Sequence, residues 1–427
     1  MSIFEALESE VRSYCRSWPV VFDRASGSHM WDTEGRKYLD FFAGAGALNY
    51  GHNHPDLKAA LLEYLTADRV VHSLDMNTVA KARFLERFDE VILRPRGLDY
   101  KVQFPGPTGA NSVESALKLA RKITGRESVI SFTNAFHGMT LGALSVTGNS
   151  MKRGGAGIPL VHATPMPYDH YLDDTTPDFM WFERLLEDNG SGLNQPAAVI
   201  VETVQGEGGI NVARLQWLRG LAELCRRHEL LLIVDDVQMG CGRTGPFFSF
   251  EAAGIVPDIV CLSKSISGYG LPMALTLFKP ELDQWEPGEH NGTFRGHNPA
   301  FVTATAALDF WTDDQLSKNV LRKGEQIERT LSDVVAPVDG VQVRGRGLVQ
   351  GLAFDQPELA GAVCRAAFER GMLLETSGAQ SEVVKMMPPL VIEDAEIEEG
   401  LTILSESIKA ATARPLAGVG ANGKGDR

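Results

Sequence analysis

The chain has 427 residues, 44% of them hydrophobic and 22% charged, the balance of an ordinary globular protein with room for two or three domains. A formal net charge of −14 argues against a nucleic-acid surface and against binding to acidic membranes. Five cysteines with no C-x-x-C pair point to a reducing cytoplasm, and no stretch reaches the roughly 18 apolar residues of a membrane span.

The opening residues carry Glu5, Glu8 and Glu10 among apolar neighbours, which is not the basic-then-apolar pattern of a signal peptide. From Trp18 to Asp40 short β-prone pieces broken by Gly27, Asp32 and Gly35 read as a small meander. The run from Phe42 to His52 is rich in small residues, which permit close backbone approach. His52-x-His54 invites a metal reading, but with no third ligand in view we expect no metal.

Residues 56–65 and 77–88 have helical periodicity, and Lys101 to Phe104 reads as a strand. The loop Thr108-Gly109-Ala110-Asn111 then feeds a helix through Thr124. Such a loop can cradle a phosphate, because free backbone N–H groups and the positive end of the helix dipole converge there; taken alone, plain helix capping is the simpler explanation. Val129 to Phe132 is another strand, followed by Phe136-His137-Gly138. Residues 153–176 show no clear period and carry several prolines, so we expect an irregular surface segment.

Ala197 to Glu202 is an apolar strand closing on an acid, followed by Gln205-Gly206-Glu207-Gly208-Gly209 and a helix over 215–228. Leu231, Leu232, Ile233 and Val234 form an unbroken apolar run that meets Asp235 and Asp236, as suits a strand covered on both faces. A second such strand, Ile259 to Leu262, is followed by Ser263 and Lys264. Strand, loop and helix recur from about 101 to 278, so the centre is a mainly parallel sheet covered by helices. Beyond it, strands near 341–343, 349–353, 372 and 383 and helices over 359–370 and 394–411 read as an α+β unit with its own sheet. The glycine-rich tail from Ala413 to Arg427 reads as disordered.

Asp235 and Lys264 end neighbouring buried strands at the edge where open α/β sheets bind ligands. A lysine amine can condense with the aldehyde of pyridoxal phosphate (PLP), and a carboxylate beside the pyridine nitrogen keeps that ring an electron sink. For the bare pair, a salt bridge or a solvated lysine is the plainer reading.

The motifs around the pair resemble those of the class III aminotransferases, PLP enzymes of fold type I. They are Thr108-Gly109-Ala110, Phe136-His137-Gly138, Glu202 to Gly209, Asp235 to Gly245, Leu262-Ser263-Lys264 and Gly292-Thr293-Phe294, in the family's order over nearly the whole chain. The resemblance implies a large domain with a mainly parallel seven-stranded sheet over 56–312, and a small α+β domain made of 1–55 and 313–412. It implies Lys264 as the lysine that carries the cofactor and Asp235 as the partner of its ring nitrogen. Phe136 and Val237 would flank the ring, with His137 beside it and Gln238 reaching its phenolic oxygen. Gly109 and Ala110 would hold the phosphate, joined by Thr293 of a neighbouring subunit, so a homodimer or a dimer of dimers is implied.

Glu202 resembles the acid that neutralises a cation at the substrate gate. Many members place an arginine before the Pro-Pro-Leu turn as a carboxylate clamp; here Lys385 stands there, without the arginine's bidentate fork, and Arg295 is a second candidate cation at the mouth. Residues 8–16, 40–53 and 293–298 look like the branch that moves an amino group from L-glutamate to L-aspartate 4-semialdehyde, giving L-2,4-diaminobutyrate and 2-oxoglutarate for ectoine synthesis. Branches acting on ornithine, acetylornithine or 4-aminobutyrate share the cofactor residues. An aminomutase or racemase on the same fold, and a catalytically silent protein, are the readings from other classes.

Overall fold

The computed structural model describes residues 2–172 and 178–413. Near the N-terminus, β1 (Phe22–Ser26), β2 (His29–Asp32) and β3 (Lys37–Asp40) form the expected meander. The central elements are β4 (Lys101–Gln103), β5 (Val129–Phe132), β6 (Ala163–Met166), β7 (Ala198–Val201), β8 (Val204–Gln205), β9 (Asn211–Val212), β10 (Leu231–Asp235), β11 (Ile259–Leu262) and β12 (Leu275–Phe278). After them come β13 (Val341–Arg346), β14 (Val349–Phe354), β15 (Met372–Leu373), β16 (Glu375–Ser377) and β17 (Val383–Met386).

The central sheet has seven strands in the order β4-β12-β11-β10-β7-β5-β6, and β12 runs antiparallel to both of its neighbours. Alternation along β10 explains its unbroken apolar run. Leu232 and Val234 join one core with Leu218 and Leu221 of the helix Leu215–Arg227, while Ile233 joins the other with Val113 and Leu117 of the helix Gly109–Thr124. Burial on both faces leaves a strand no room for a polar residue until its end, where Asp235 emerges.

The two chain ends meet in one sheet of order β1-β2-β3-β15, in which Met372 and Leu373 pair with Leu39 and Asp40. A third sheet, β13-β14-β17-β16, completes this part of the molecule. These sheets support the boundaries near residues 55 and 312 that we propose for the two domains.

The segment expected to be irregular over 153–176 contains β6, which adds parallel to β5 at the sheet edge. Pro165 sits inside it, tolerated because an edge strand pairs on one side only. Residues 173–177 of that segment lie outside the described residues. So does the tail expected to be disordered, apart from Ala413.

Candidate active site

Parallel pairing of β10 with β11 sets Asp235 opposite Cys261, so the acid and Lys264 leave the same sheet edge side by side. Lys264 opens a short 3₁₀ turn, Lys264–Ser267, in the left-handed region at φ 51°. A cavity of about 190 Å³ lies at this edge, lined by Gly109, Ala110, Phe136, His137, Glu202, Asp235, Val237, Gln238 and Lys264, together with Gly138, Glu207 and Met239.

At the cavity floor His137 Nδ1 lies 2.7 Å from Asp235 Oδ2, and the other Asp235 oxygen accepts the Val237 N–H at 3.1 Å. Burial alone would lower the His137 pKa, but the Asp235 hydrogen bond and charge outweigh it and raise it. His137 Nε2 is buried without a hydrogen-bond partner. Burial, with Lys385 adding to it, lowers the Lys264 amine below the ordinary lysine range despite the Glu207 carboxylate.

The helix Gly109–Thr124 is capped by Thr108, whose hydroxyl accepts from the Asn111 N–H while the Asn111 side chain returns to the Thr108 N–H. Capping therefore leaves the helix end open to an anion, since the N–H groups of Gly109 and Ala110 lie in the first turn, where no intrahelical carbonyl reaches them. Gly109 is needed for the close approach: a Cβ there would stand 2.8 Å from Val237 Cγ1.

A left-handed turn over Ala43–Gly46, with φ of 47°, 60°, 56° and 87°, packs behind Gln238 and Ser265. Gln238 Nε2 donates to the Ala45 carbonyl at 3.0 Å, and the Ser265 hydroxyl donates to the Gly46 carbonyl at 2.5 Å. Of the His-x-His pair, His52 Nε2 lies 2.6 Å from Asp40 Oδ2.

Phe136 lines the cavity, with the Lys152 ammonium 4.2 Å from its ring centre. Glu202 accepts the Phe136 N–H at 3.0 Å, and burial pushes its carboxyl up to about 7. Glu207, the second acid of the motif, lines the same cavity, and its Oε1 lies 2.6 Å from Lys385 Nζ. The β8–β9 hairpin carries this acid out to Lys385 while the first stays at the end of β7.

Burial would raise Glu207, yet the Lys385 and Lys264 ammonium groups overcome this and hold it at about 2. Lys385 is itself buried, and its Nζ also lies 2.8 Å from Glu375 Oε1. Both its acids escaped the sequence reading. A hairpin register centred on residue 380, which pairs 375 with 385, would have found Glu375.

Arg295 is turned back onto its own loop, donating to the carbonyls of His290 and Asn291, and lines a separate cleft with Asp75, Lys81 and Trp285. Thr293 is exposed, and its carbonyl accepts from His72 Nε2 at 2.7 Å. Neither lines the Lys264 cavity within this chain.

The family model for Aminotransferase class-III matches residues 12–408. The chain is a class III aminotransferase. It is 69% identical over 410 residues to the diaminobutyrate–2-oxoglutarate transaminase of Streptomyces anulatus, covering 96% of this chain and 98% of that one. The enzyme of the same name from Oceanobacillus iheyensis is 59% identical, covering 96% and 97%. Among solved structures, the ornithine aminotransferase of Toxoplasma gondii superposes with a TM-score of 0.84 at 30% identity, covering 96% of this chain and 93% of that one. The cavity of this class III aminotransferase suits a flat, anionic, aldehyde-bearing ring. It has a helix N-terminus made accessible by a required glycine, a buried acid held by a histidine, and a lysine with a lowered pKa.

Proposed function

We propose that this chain is the transaminase that moves the amino group of L-glutamate to C4 of L-aspartate 4-semialdehyde, giving L-2,4-diaminobutyrate and 2-oxoglutarate. Its 69% identity to a relative of that name, end to end, carries the reading. Pyridoxal phosphate is the cofactor. When bound, it supplies an aldehyde that takes the amine and a ring that delocalises the electrons left on the substrate carbon.

The chain's own residues do the rest. Gly109 and Ala110 offer N–H groups to the phosphate, and Phe136 and Val237 bound the slot for the ring. Asp235, held by His137, keeps a carboxylate at the slot's buried end. The Lys264 amine, less basic than an ordinary lysine, gives and takes the proton at the reacting carbon. Gln238 sits between the Ala45 turn and Glu207, at the boundary of cofactor and substrate space.

We further infer a homodimer. Val70, Val71, Met76, Val79 and Phe294 are exposed apolar residues clustered in sequence around His72 and Thr293, which are hydrogen-bonded to each other. Such a patch suits a subunit interface, from which Thr293 and Arg295 would serve the partner's site. A cytoplasmic enzyme supplying diaminobutyrate to ectoine synthesis, in a cell that adapts to osmotic stress, fits the −14 charge. No helix among the described residues is long and apolar enough to cross a membrane.

The test is the visible spectrum of the PLP-loaded protein as L-2,4-diaminobutyrate, ornithine, 4-aminobutyrate and glutamate are added in turn. Bleaching by diaminobutyrate and glutamate alone is expected. Bleaching by ornithine or 4-aminobutyrate with no response to diaminobutyrate would move the chain to another branch. A spectrum that changes without release of the matching carbonyl product, aspartate 4-semialdehyde from diaminobutyrate or 2-oxoglutarate from glutamate, would favour an aminomutase or racemase.

A further inference from the structure

Lys264 stands between two serines whose hydroxyls both grip main chain. On one side the Ser263 hydroxyl donates to the Met273 carbonyl at 2.9 Å. On the other the Ser265 hydroxyl donates to the Gly46 carbonyl at 2.5 Å and accepts the Asn49 N–H at 3.3 Å. Ser263 is thereby tied to the approach to β12 in the central sheet, whereas Ser265 is tied to the N-terminal segment that follows β3. Both serines are buried, and of the three residues only Lys264 lines the cavity.

The lysine needs such anchors. Its φ of 51° lies in the left-handed region, which a residue with a Cβ keeps only where its surroundings hold it there. Part of the hold is local: the Ile266 N–H donates to the Ser263 carbonyl at 3.1 Å and the Gly268 N–H to the Ser265 carbonyl at 2.9 Å. Those bonds close the turn on itself, and the Ser265 hydroxyl fixes it to a distant part of the chain. That part is itself rigid. Asp40 Oδ1 accepts the N–H groups of Phe42 and Ala43, both at 2.9 Å, and Gln238 Nε2 donates to the Ala45 carbonyl at 3.0 Å. The Asn49 side chain accepts from Arg243 at 2.5 Å and donates to the Cys241 carbonyl at 2.9 Å. Both partners of the Ser265 hydroxyl are therefore fixed points.

Taking Lys264 as the lysine that carries the cofactor, as proposed above, we propose that Ser265 is its positioning residue: the hydroxyl bonded to Gly46 and Asn49 holds the turn that Lys264 opens, and so holds the amine in reach of the reacting carbon. In the capture of PLP the uncharged Lys264 amine adds to the aldehyde carbon, both of its N–H protons pass to the carbonyl oxygen, and water leaves as the C=N bond closes. The rate follows how well the amine is aligned with that carbon, and a misplacement of about 1 Å can cost roughly 100-fold. Holding the ring and phosphate draws on Gly109, Ala110, Phe136 and Val237 instead, so capture and binding are separable. In turnover the same amine moves the substrate proton, and the same placement governs that step.

The experiment compares full-length wild type and S265A, each freed of cofactor, with two probes. PLP capture is followed as growth of the visible band, and pyridoxamine phosphate, which has no aldehyde, reports binding alone by equilibrium dialysis. S265A should capture PLP about tenfold more slowly while its affinity for pyridoxamine phosphate stays at the wild-type value. In the PLP-loaded protein its single-turnover rate with saturating glutamate should fall about tenfold, with the half-saturating concentration unchanged. Capture at the wild-type rate would overturn the proposal. So would equal losses in capture and in pyridoxamine phosphate affinity, since the hydroxyl would then support the site as a whole. Should S265A not fold, S265C fills the same space with a weaker hydrogen-bond donor and is read in the same way. Borohydride reduction fixes captured PLP to its lysine for peptide mapping. A label on a lysine other than Lys264 overturns the Lys264 assignment itself, which separates the two failures.

Discussion

His137 Nδ1 lies 2.7 Å from Asp235 Oδ2, with both side chains buried beneath the cavity that Lys264 faces. The second Asp235 oxygen is held by the Val237 N–H, so the carboxylate is fixed at both ends. A charge-assisted hydrogen bond of this kind contributes about 2 kcal/mol. His137→Phe keeps the bulk and removes the bond, so kcat/KM should fall about 10- to 100-fold while the fold persists. Steady-state kinetics alongside a thermal melt checks this, and an unchanged kcat/KM would show that Val237 suffices to orient the acid.

Lys264→Ala removes the amine and leaves the groups that would hold ring and phosphate. The variant should therefore retain PLP after gel filtration yet turn over about 10²- to 10⁴-fold more slowly. Added methylamine should restore part of the rate, because a small free amine can enter the space the side chain vacates. A variant that cannot retain PLP would place the binding energy in the lysine rather than in Gly109, Ala110 and Asp235.

Gly109 and Val237 are in mutual contact across the slot. With a Cβ at 109 only 2.8 Å from Val237 Cγ1, Gly109→Ala must push the helix start or the valine away. PLP retention should weaken about tenfold in G109A. Val237→Ala in the same chain deletes the clashing methyl groups, so the double variant should bind PLP better than additivity predicts. Equilibrium dialysis of the four proteins reads the coupling directly. Strict additivity would mean that the two residues do not meet when PLP is bound.

Much of the fold was legible because burial on both faces writes itself into the sequence. The apolar runs 231–234 and 259–262 are the strands β10 and β11, and the residues that end or follow them, Asp235 and Lys264, line one cavity. Edge structure was not legible: β6 is half-exposed, carries Pro165 and has no period of its own. The division of labour between Glu202 and Glu207 was hidden for a different reason. Both acids lie in one motif, and only the β8–β9 hairpin decides which of them reaches Lys385. Lys385 was read as a lone cation because its second acid lies across a two-strand register, where charge pairs leave no hydrophobic signal. Thr293 and Arg295 lie outside the cavity of their own chain, so one chain's fold could not have placed them in it.

Asp236 follows Asp235 in sequence but does not line the cavity, and its burial makes stability depend on pH. Its Oδ2 accepts the Ser249 N–H at 3.0 Å, while Oδ1 is buried without a partner. Burial pushes the carboxyl up to about 7. An acid raised on folding binds its proton more tightly in the native state, so stability is greatest below the unfolded pKa of about 4 and declines as the pH rises to 7. Above about 7 the loss is complete and levels off, at on the order of 4 kcal/mol for this group. Asp236→Asn has no charge to desolvate and can still accept the Ser249 N–H through its amide oxygen. Urea unfolding should therefore find D236N more stable than wild type by a margin that widens by roughly 3 kcal/mol between about pH 5 and about pH 8. Glu207, held at about 2 by Lys385 and Lys264, titrates in a separate window: its contribution disappears only as the pH falls from about 4 toward 2. A D236N variant whose stability tracks wild type at both pH values would mean that Asp236 is solvated or charged in the native protein.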